Sequence, residues 1–227
     1  VYTDINSSHF LSAFFSCEKN QGKLTTKGFL MNIGIDVDGV LTNLEKYQKK
    51  YAQKHFKDRV YNDECYHLKD AVGCGDKEEK RFWYKHIWKY CVFEPARKNA
   101  SQVIEKLRSD GHKIYIITGR VLVTEKSFLG WLFRSLLTGW RKRNRIIYDD
   151  ICYCSTAYSA RDKAAVCLKY SIDVMIEDIV DNLRALCEIT KVLCFDAGYN
   201  RGGDIGALTR VNNWTDAYAQ IKAIMRI

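Results

Sequence analysis

The stretch Met31-Asn32-Ile33-Gly34-Ile35-Asp36-Val37-Asp38-Gly39-Val40-Leu41-Thr42-Asn43 sets a short apolar run directly against two carboxylates and a glycine. So short a run, rich in β-branched residues and closed by Asp-Gly, suits a strand buried on both faces of a parallel sheet. Ligands of open α/β sheets gather at the carboxyl ends of such strands, which is where Asp36 and Asp38 would emerge. Two like charges this close call for compensation, and a divalent cation is the usual source. Asp and Gly are also ordinary turn residues, so the stretch alone leaves open both a catalytic strand and a plain strand-turn.

Downstream of Pro95 the pattern alternates regularly. An amphipathic helix over 97–110 is expected to stop at Gly111 in a left-handed cap. A strand over 113–117 runs into Thr118-Gly119-Arg120, and a helix follows from about residue 124. A strand at 151–154, a helix at 159–170 with Ser159 as its N-cap, and a strand at 173–176 ending in Glu177-Asp178 come next. A helix from Asp181 and a strand at 192–195 complete the set. About five strands alternating with helices predict an α/β fold of three layers around a parallel sheet.

Between the first strand and this array, residues 44–94 read as helical, with no strand run. A helical cap inserted over about 46–94 is the expectation. Phe82, Trp83, Tyr84, Trp88, Tyr90 and Phe93 crowd one short segment of it. At helical spacing Trp83, His86 and Tyr90 share a face, which is the pattern of a packing surface. Trp83 and Trp88, with Arg120, also stand as candidates for a substrate pocket, because aromatic faces stack on flat groups such as a nucleobase. Residues 1–29, with Phe10, Leu11, Phe14 and Phe15, read as an appended helix and linker, and 30–227 as the domain proper.

The composition is that of a globular protein, 47% hydrophobic and 28% charged. No window approaches the ~18 uninterrupted apolar residues of a membrane span. The first residues lack the basic-then-apolar pattern of a secretory signal, and the nine cysteines are scattered through apolar contexts. Both point to reduced thiols in a cytoplasmic protein. Cys152 and Cys154 have no second pair at ligand spacing, which argues against zinc. The net charge of +9 favours anionic partners, whether phosphorylated small molecules, nucleic acid or a membrane surface. One segment stands out: the apolar run from Phe128 to Trp140 abuts Arg141-Lys142-Arg143-Asn144-Arg145. It reads as a helix packed on the sheet with a solvated basic end. The sharper reading of 128–145 is a membrane-surface contact or a homo-oligomer interface.

Asp36 and Asp38, Thr118, Lys163 and Asp178 would then meet at the carboxyl ends of the sheet. Their types fit phosphoryl transfer, which needs a nucleophile, a proton donor, positive charge and polar donors on the phosphate, and a cation held by oxygen ligands. Asp36 can be the nucleophile and Asp38 the acid. Thr118 and Lys163 can hold phosphate, and Asp178 with Asp36 can bind Mg²⁺.

In order and setting, Asp36-Val-Asp38-Gly39-Val40, Thr118-Gly119-Arg120, Lys163 and Glu177-Asp178-Ile-Val-Asp-Asn182 resemble the four motifs of the haloacid dehalogenase (HAD) superfamily. Retention of an Asp two residues after the nucleophile resembles its phosphatases. The resemblance covers about residues 31–225 and implies a Rossmann-like core. It implies that Asp36 forms an aspartyl-phosphate and that Asp38 protonates the leaving group and later activates water. Thr118, Gly119 and Lys163 would bind phosphate. Mg²⁺ would be held by Asp36, the Asp38 backbone carbonyl and Asp178, with Asn182 and Glu177 just outside the ligands. Tyr148-Asp-Asp-Ile151, Val174-Met-Ile-Glu-Asp178 and Phe195-Asp-Ala-Gly-Tyr-Asn200 are similar to the 5'(3')-deoxyribonucleotidase type and its bacterial relatives. A small phosphorylated substrate is therefore expected, a nucleoside monophosphate first and a sugar phosphate or other biosynthetic intermediate as the alternative. Nucleic acid is not expected as a partner. A non-catalytic scaffold with a basic binding surface is the contrasting class, against which the paired carboxylates argue.

Overall fold

The computed structural model describes residues 30–202 and 208–225, so the expected N-terminal extension over 1–29 lies outside the described residues. The first apolar run forms β1 (Asn32–Ile35), and the alternating region supplies β2 (Lys113–Thr118), β3 (Asp150–Tyr153), β4 (Val174–Glu177) and β5 (Lys191–Phe195). A sixth short strand, β6 (Thr209–Val211), extends the sheet beyond the expected five. Its three residues are too few to show an alternation in sequence, and it exists because β5 pairs with it, Phe195 opposite Val211. All pairings are parallel, in the order β3-β2-β1-β4-β5-β6. The order reverses at β1, so the crevice between the ends of β1 and β4 is the topological switch point.

Side chains alternate across the sheet as its pleat requires. Ile33, Ile35, Ile114, Ile116, Val174 and Ile176 share one buried cluster with residues of α4 (Ala100–Ser109), α5 (Phe128–Arg143) and α8 (Trp214–Ile224). Ile117, Met175 and Cys194 share another with α6 (Ser159–Lys169) and α7 (Val180–Cys187). Helices on both faces make three layers.

Helix boundaries differ from expectation where backbone is spent elsewhere. Helix α4 begins at Ala100 because the Arg97 N–H bonds the Leu41 carbonyl at 2.7 Å and Asn99 is left-handed. Gly111 does close it, at φ +95°. Helix α6 is preceded by Tyr158 rather than capped by Ser159, with no side-chain cap bond. The eight cysteines among the described residues are free thiols, and no helix there is long and apolar enough to cross a membrane.

The insert after β1 is helical: α1 (Leu44–His55), α2 (Leu68–Val72) and α3 (Asp76–Phe93). It has its own core of Ala52, Phe56, Leu68, Val72 and Phe82. A second cluster joins Tyr47, Tyr90 and Cys91 of the insert to Val123 and Phe133 beside β2.

Candidate active site

The backbone after β1 is shaped to crowd acids together. Asp36 follows the strand directly, its N–H bonded to the Ile176 carbonyl of β4 at 3.1 Å. The chain then turns through Gly39 at φ +93°, a conformation natural only to glycine. A Cβ on Gly39 would lie 1.8 Å from Asp178 Oδ2, so glycine also admits the β4 carboxylate. Arg97, unremarked in the sequence, fixes this turn: Nε and Nη2 donate to the Gly39 carbonyl at 3.0 and 2.7 Å, and Nε also to that of Thr42 at 3.1 Å.

Lys163 reaches in from α6 and bridges two carboxylates, with Nζ 2.8 Å from Asp36 Oδ1 and 2.6 Å from Glu177 Oε2. All three are buried. Burial pushes the Asp36 carboxyl up to about 7 despite the pull of Lys163, with Glu177 and Asp38 adding to the rise. Glu177 goes the other way: against its burial, Lys163 and the N–H groups of Asp178 and Ile179, both at 3.0 Å from Oε1, hold it ionised. Lys163 stays charged because those two carboxylates outweigh its desolvation.

Asp178 receives the Tyr199 hydroxyl on Oδ2. Its Oδ1 is buried with no partner among the described residues. Burial first, then Glu177 and Asp36, raise its carboxyl well above the ordinary value. Asp36, Glu177 and Asp178 place oxygen atoms within 4.8 Å of one another. Counting Asp38, four carboxylates face Lys163, Arg120 and, beside Asp178, Arg97, so the acids outnumber the cations once all are ionised. An all-oxygen donor set, one orphaned carboxylate oxygen and an excess of acids over cations together fit a hard divalent cation. Glu177 has both oxygens committed, so Asp36 and Asp178 are the side chains able to give a ligand atom.

Asp38 is held differently. Arg120 grips it through Nη2 at 2.5 Å and Nε at 3.1 Å from Oδ1, while the Tyr90 hydroxyl donates to the same oxygen at 2.7 Å. Although burial favours its neutral form, Arg120 keeps the Asp38 carboxyl below the usual range. In this arrangement Asp38 is a carboxylate ready to accept a proton.

A cavity of about 690 Å³ opens over these groups, the size of a small-ligand site. Asp36, Asp38, Gly119, Lys163 and Asn182 line it. Asn182 is buried with an unpartnered Nδ2. Thr118 lies buried at the end of β2, its hydroxyl oxygen accepting the Arg120 N–H at 3.2 Å.

Three expected pocket residues are elsewhere. Arg120 is buried with its charge absorbed by Asp38, and its guanidinium lies 5.3 Å from the Tyr90 ring. Trp83 packs edge-on against Phe82 at 5.3 Å, and Trp88 lies 5.0 Å from Phe133 of α5. None of the α3 aromatics lines the cavity, which is left to other residues. Its aromatic wall is Tyr66 and Tyr199, edge to face at 5.1 Å, with His67, Tyr158 and Arg161 also lining it. Tyr66 and His67 sit in an irregular approach to α2, where periodicity carries no signal. Tyr199 could have been found, since it lies within Phe195-Asp-Ala-Gly-Tyr-Asn200.

Comparison with known proteins agrees with this geometry. The family model described as "5' nucleotidase, deoxy (Pyrimidine), cytosolic type C protein" matches residues 30–226. A curated relative from Halalkalibacterium halodurans, whose name reads "Putative nucleotidase", is 23% identical over 194 residues, covering 83% of this chain and 91% of its own. Among solved structures, a "predicted phosphatase" from Clostridium acetobutylicum aligns at TM-score 0.59 and 13% identity, over 86% of this chain and 100% of that one. A HAD family hydrolase from Deinococcus radiodurans, solved with bound phosphate and sodium, aligns at TM-score 0.55 and 13% identity, over 86% and 97%. At such identities the structural likeness carries the fold alone.

Proposed function

The chain belongs to the family of cytosolic type C 5'-nucleotidases, a nucleotidase-type branch of the HAD-superfamily phosphatases, and from that premise we propose that it is a Mg²⁺-dependent nucleoside monophosphate phosphatase working through an aspartyl-phosphate. The observation that carries the reading is Asp36. It lies buried in the cavity lining, oriented by Lys163, with an oxygen within 4.8 Å of one of Asp178, whose Oδ1 has no partner among the described residues.

In the first half-reaction an Asp36 oxygen attacks phosphorus while the bond to the leaving alkoxide breaks, and Asp38 supplies the alkoxide with a proton. In the second, water attacks the aspartyl-phosphate, Asp38 takes up a proton from it, and orthophosphate departs with Asp36 restored. Thr118, the Gly119 backbone and Lys163 would hold the phosphate oxygens. Asp36, the Asp38 backbone carbonyl and Asp178 would hold Mg²⁺, which when bound neutralises phosphate charge. Asp38 starts as the ionised partner of Arg120, so its donor role requires that ion pair to loosen as substrate arrives and Asp38 to take up a proton, from solvent or from the phosphate monoanion of the substrate, before it protonates the alkoxide.

The Tyr66–Tyr199 wall suits a flat base better than a small sugar, which favours a nucleotide over the sugar phosphate alternative. A cytosolic setting is in keeping with the free thiols. Phosphate release should be screened across nucleoside monophosphates and sugar phosphates, with Mg²⁺ and with chelator. Turnover of nucleotides that needs Mg²⁺ and vanishes in Asp36→Asn is expected. Chelator-resistant turnover, or wild-type activity in that variant, would overturn the reading.

A further inference from the structure

Helix α5 does bury much of its apolar run: Phe133, Leu137 and Trp140 face the interior. Its first turn does not. Phe128 is 72% exposed, Leu129 47% and Trp131 56%, with the Phe128 and Trp131 rings 5.5 Å apart. On α3, packed alongside, the positions 81, 84, 85 and 88 recur at helical spacing and are all exposed: Arg81, Tyr84, Lys85 and Trp88. Tyr84 is 85% exposed and Trp88 39%, and Trp88 ties the two helices by its contact with Phe133. The loop leading into α5 adds exposed Val121 and Lys126. It is pinned by Arg134, whose Nη1 donates to the carbonyls of Val123 and Glu125 at 2.7 and 2.9 Å. The α3–α5 edge thus presents large apolar and aromatic groups on rigid backbone, interleaved with Arg81, Lys85 and Lys126.

Scattered exposed apolar residues are ordinary, but five large ones, Tyr84, Trp88, Phe128, Leu129 and Trp131, gathered on two helices packed against each other are not. The basic end of α5, by contrast, is partly committed inside the protein. Arg143 donates to the Val92 carbonyl, and the Arg141 guanidinium lies 4.4 Å from the Tyr148 ring. The surface to be explained is therefore narrower than 128–145, and it includes α3.

We infer that this edge docks on a bilayer surface carrying anionic lipid. Charge decides between occupants. Arg81, Lys85 and Lys126 outnumber the Glu125 carboxylate in this loop and helix face, so two copies of the chain would bring like charges together. An anionic leaflet complements the same residues, and Trp and Tyr side chains favour the headgroup region. The apolar tips of Phe128, Leu129 and Trp131 would enter the acyl boundary while the cations stay at the headgroups.

The full chain should co-sediment with mixed phosphatidylserine–phosphatidylcholine vesicles at low salt, weakly with phosphatidylcholine alone, and be released as salt rises. The double variant Phe128→Ser, Trp131→Ser should bind about tenfold less or worse. Its melting temperature and its phosphate release in solution should stay unchanged, since neither residue lines the cavity. Lys85→Glu with Lys126→Glu should abolish the preference for anionic vesicles. Failure of the wild type to bind, or undiminished binding by the aromatic variant, would overturn the inference. So would a dimer in equilibrium sedimentation that the same variant dissociates. The vesicle-binding and sedimentation readouts do not depend on which phosphate ester the enzyme hydrolyses.

Discussion

Arg120 and Asp38 form an ion pair in which the guanidinium is fully enclosed, with Nη2 2.5 Å from Oδ1. Two residues separated by 82 positions in sequence are thereby joined beside Asp36, and the arginine is removed from the cavity wall. Arg120→Lys keeps the charge but loses the fork. A fall in kcat of about tenfold, with KM nearly unchanged, is expected from the lost charge-assisted bonds. A KM that rose more than kcat fell would mean that Arg120 touches substrate.

Asp38 itself is assigned to proton transfer. Asp38→Asn should slow hydrolysis of nucleoside monophosphates on the order of 10²–10⁴-fold. An aryl phosphate whose phenolate leaves without a proton should be affected less in the first half-reaction. Equal losses on both ester types in pre-steady-state measurements would argue against the donor role.

Lys163 is the only cation bonded to both Asp36 and Glu177 among the described residues. Lys163→Met would leave two buried carboxylates facing each other. A loss of about 3–5 kcal/mol in urea unfolding is expected in chelator, together with loss of turnover. Stability within 1 kcal/mol of wild type, on the scale of about 1 kcal/mol for an exposed pair, would show the bridge to be replaceable.

The acid cluster makes metal-free stability depend on pH with a definite sign. The folded-state value of Asp36, about 7, exceeds its ordinary 3.8, and Asp178 is raised too. Through that window the folded chain binds more protons than the unfolded one, so stability falls as pH rises from about 4 to beyond 7. In chelator the melting temperature should therefore drop between pH 5 and pH 8, both approximate. Mg²⁺ should restore it more at the higher pH, where the carboxylates have lost their protons. A Mg²⁺ effect of equal size at both values would contradict a site made of these acids.

Gly39 tests the shape of the turn. Gly39→Ala combines an unfavourable φ of +93° with a Cβ driven against Asp178. A loss of about 1–3 kcal/mol is expected, with turnover falling further than stability because the displaced group is a candidate ligand. Full activity in a stable Gly39→Ala protein would remove Asp178 from the metal site.

Much of this protein is legible in its sequence because local chemistry carries it. Burial on both faces makes β1 a continuous apolar run, and the carboxyl ends of parallel strands are fixed by direction, so the meeting of Asp36 and Asp178 at one end of the sheet is expected before any fold is known. The Gly111 stop follows from backbone sterics alone. Tertiary structure decided what depends on distant partners. β6 exists only by pairing with β5. Glu177 became a lysine clamp and Arg120 the partner of Asp38, because each charge, once buried, takes the nearest opposite charge whatever its place in sequence. The aromatics of α3 divided between packing and an exposed face, since helical period says which residues share a side but not what that side meets. The cavity wall passed instead to Tyr66 and Tyr199, brought together from the irregular approach to α2 and the short 3-10 turn Gly198–Asn200 by the closing of the fold.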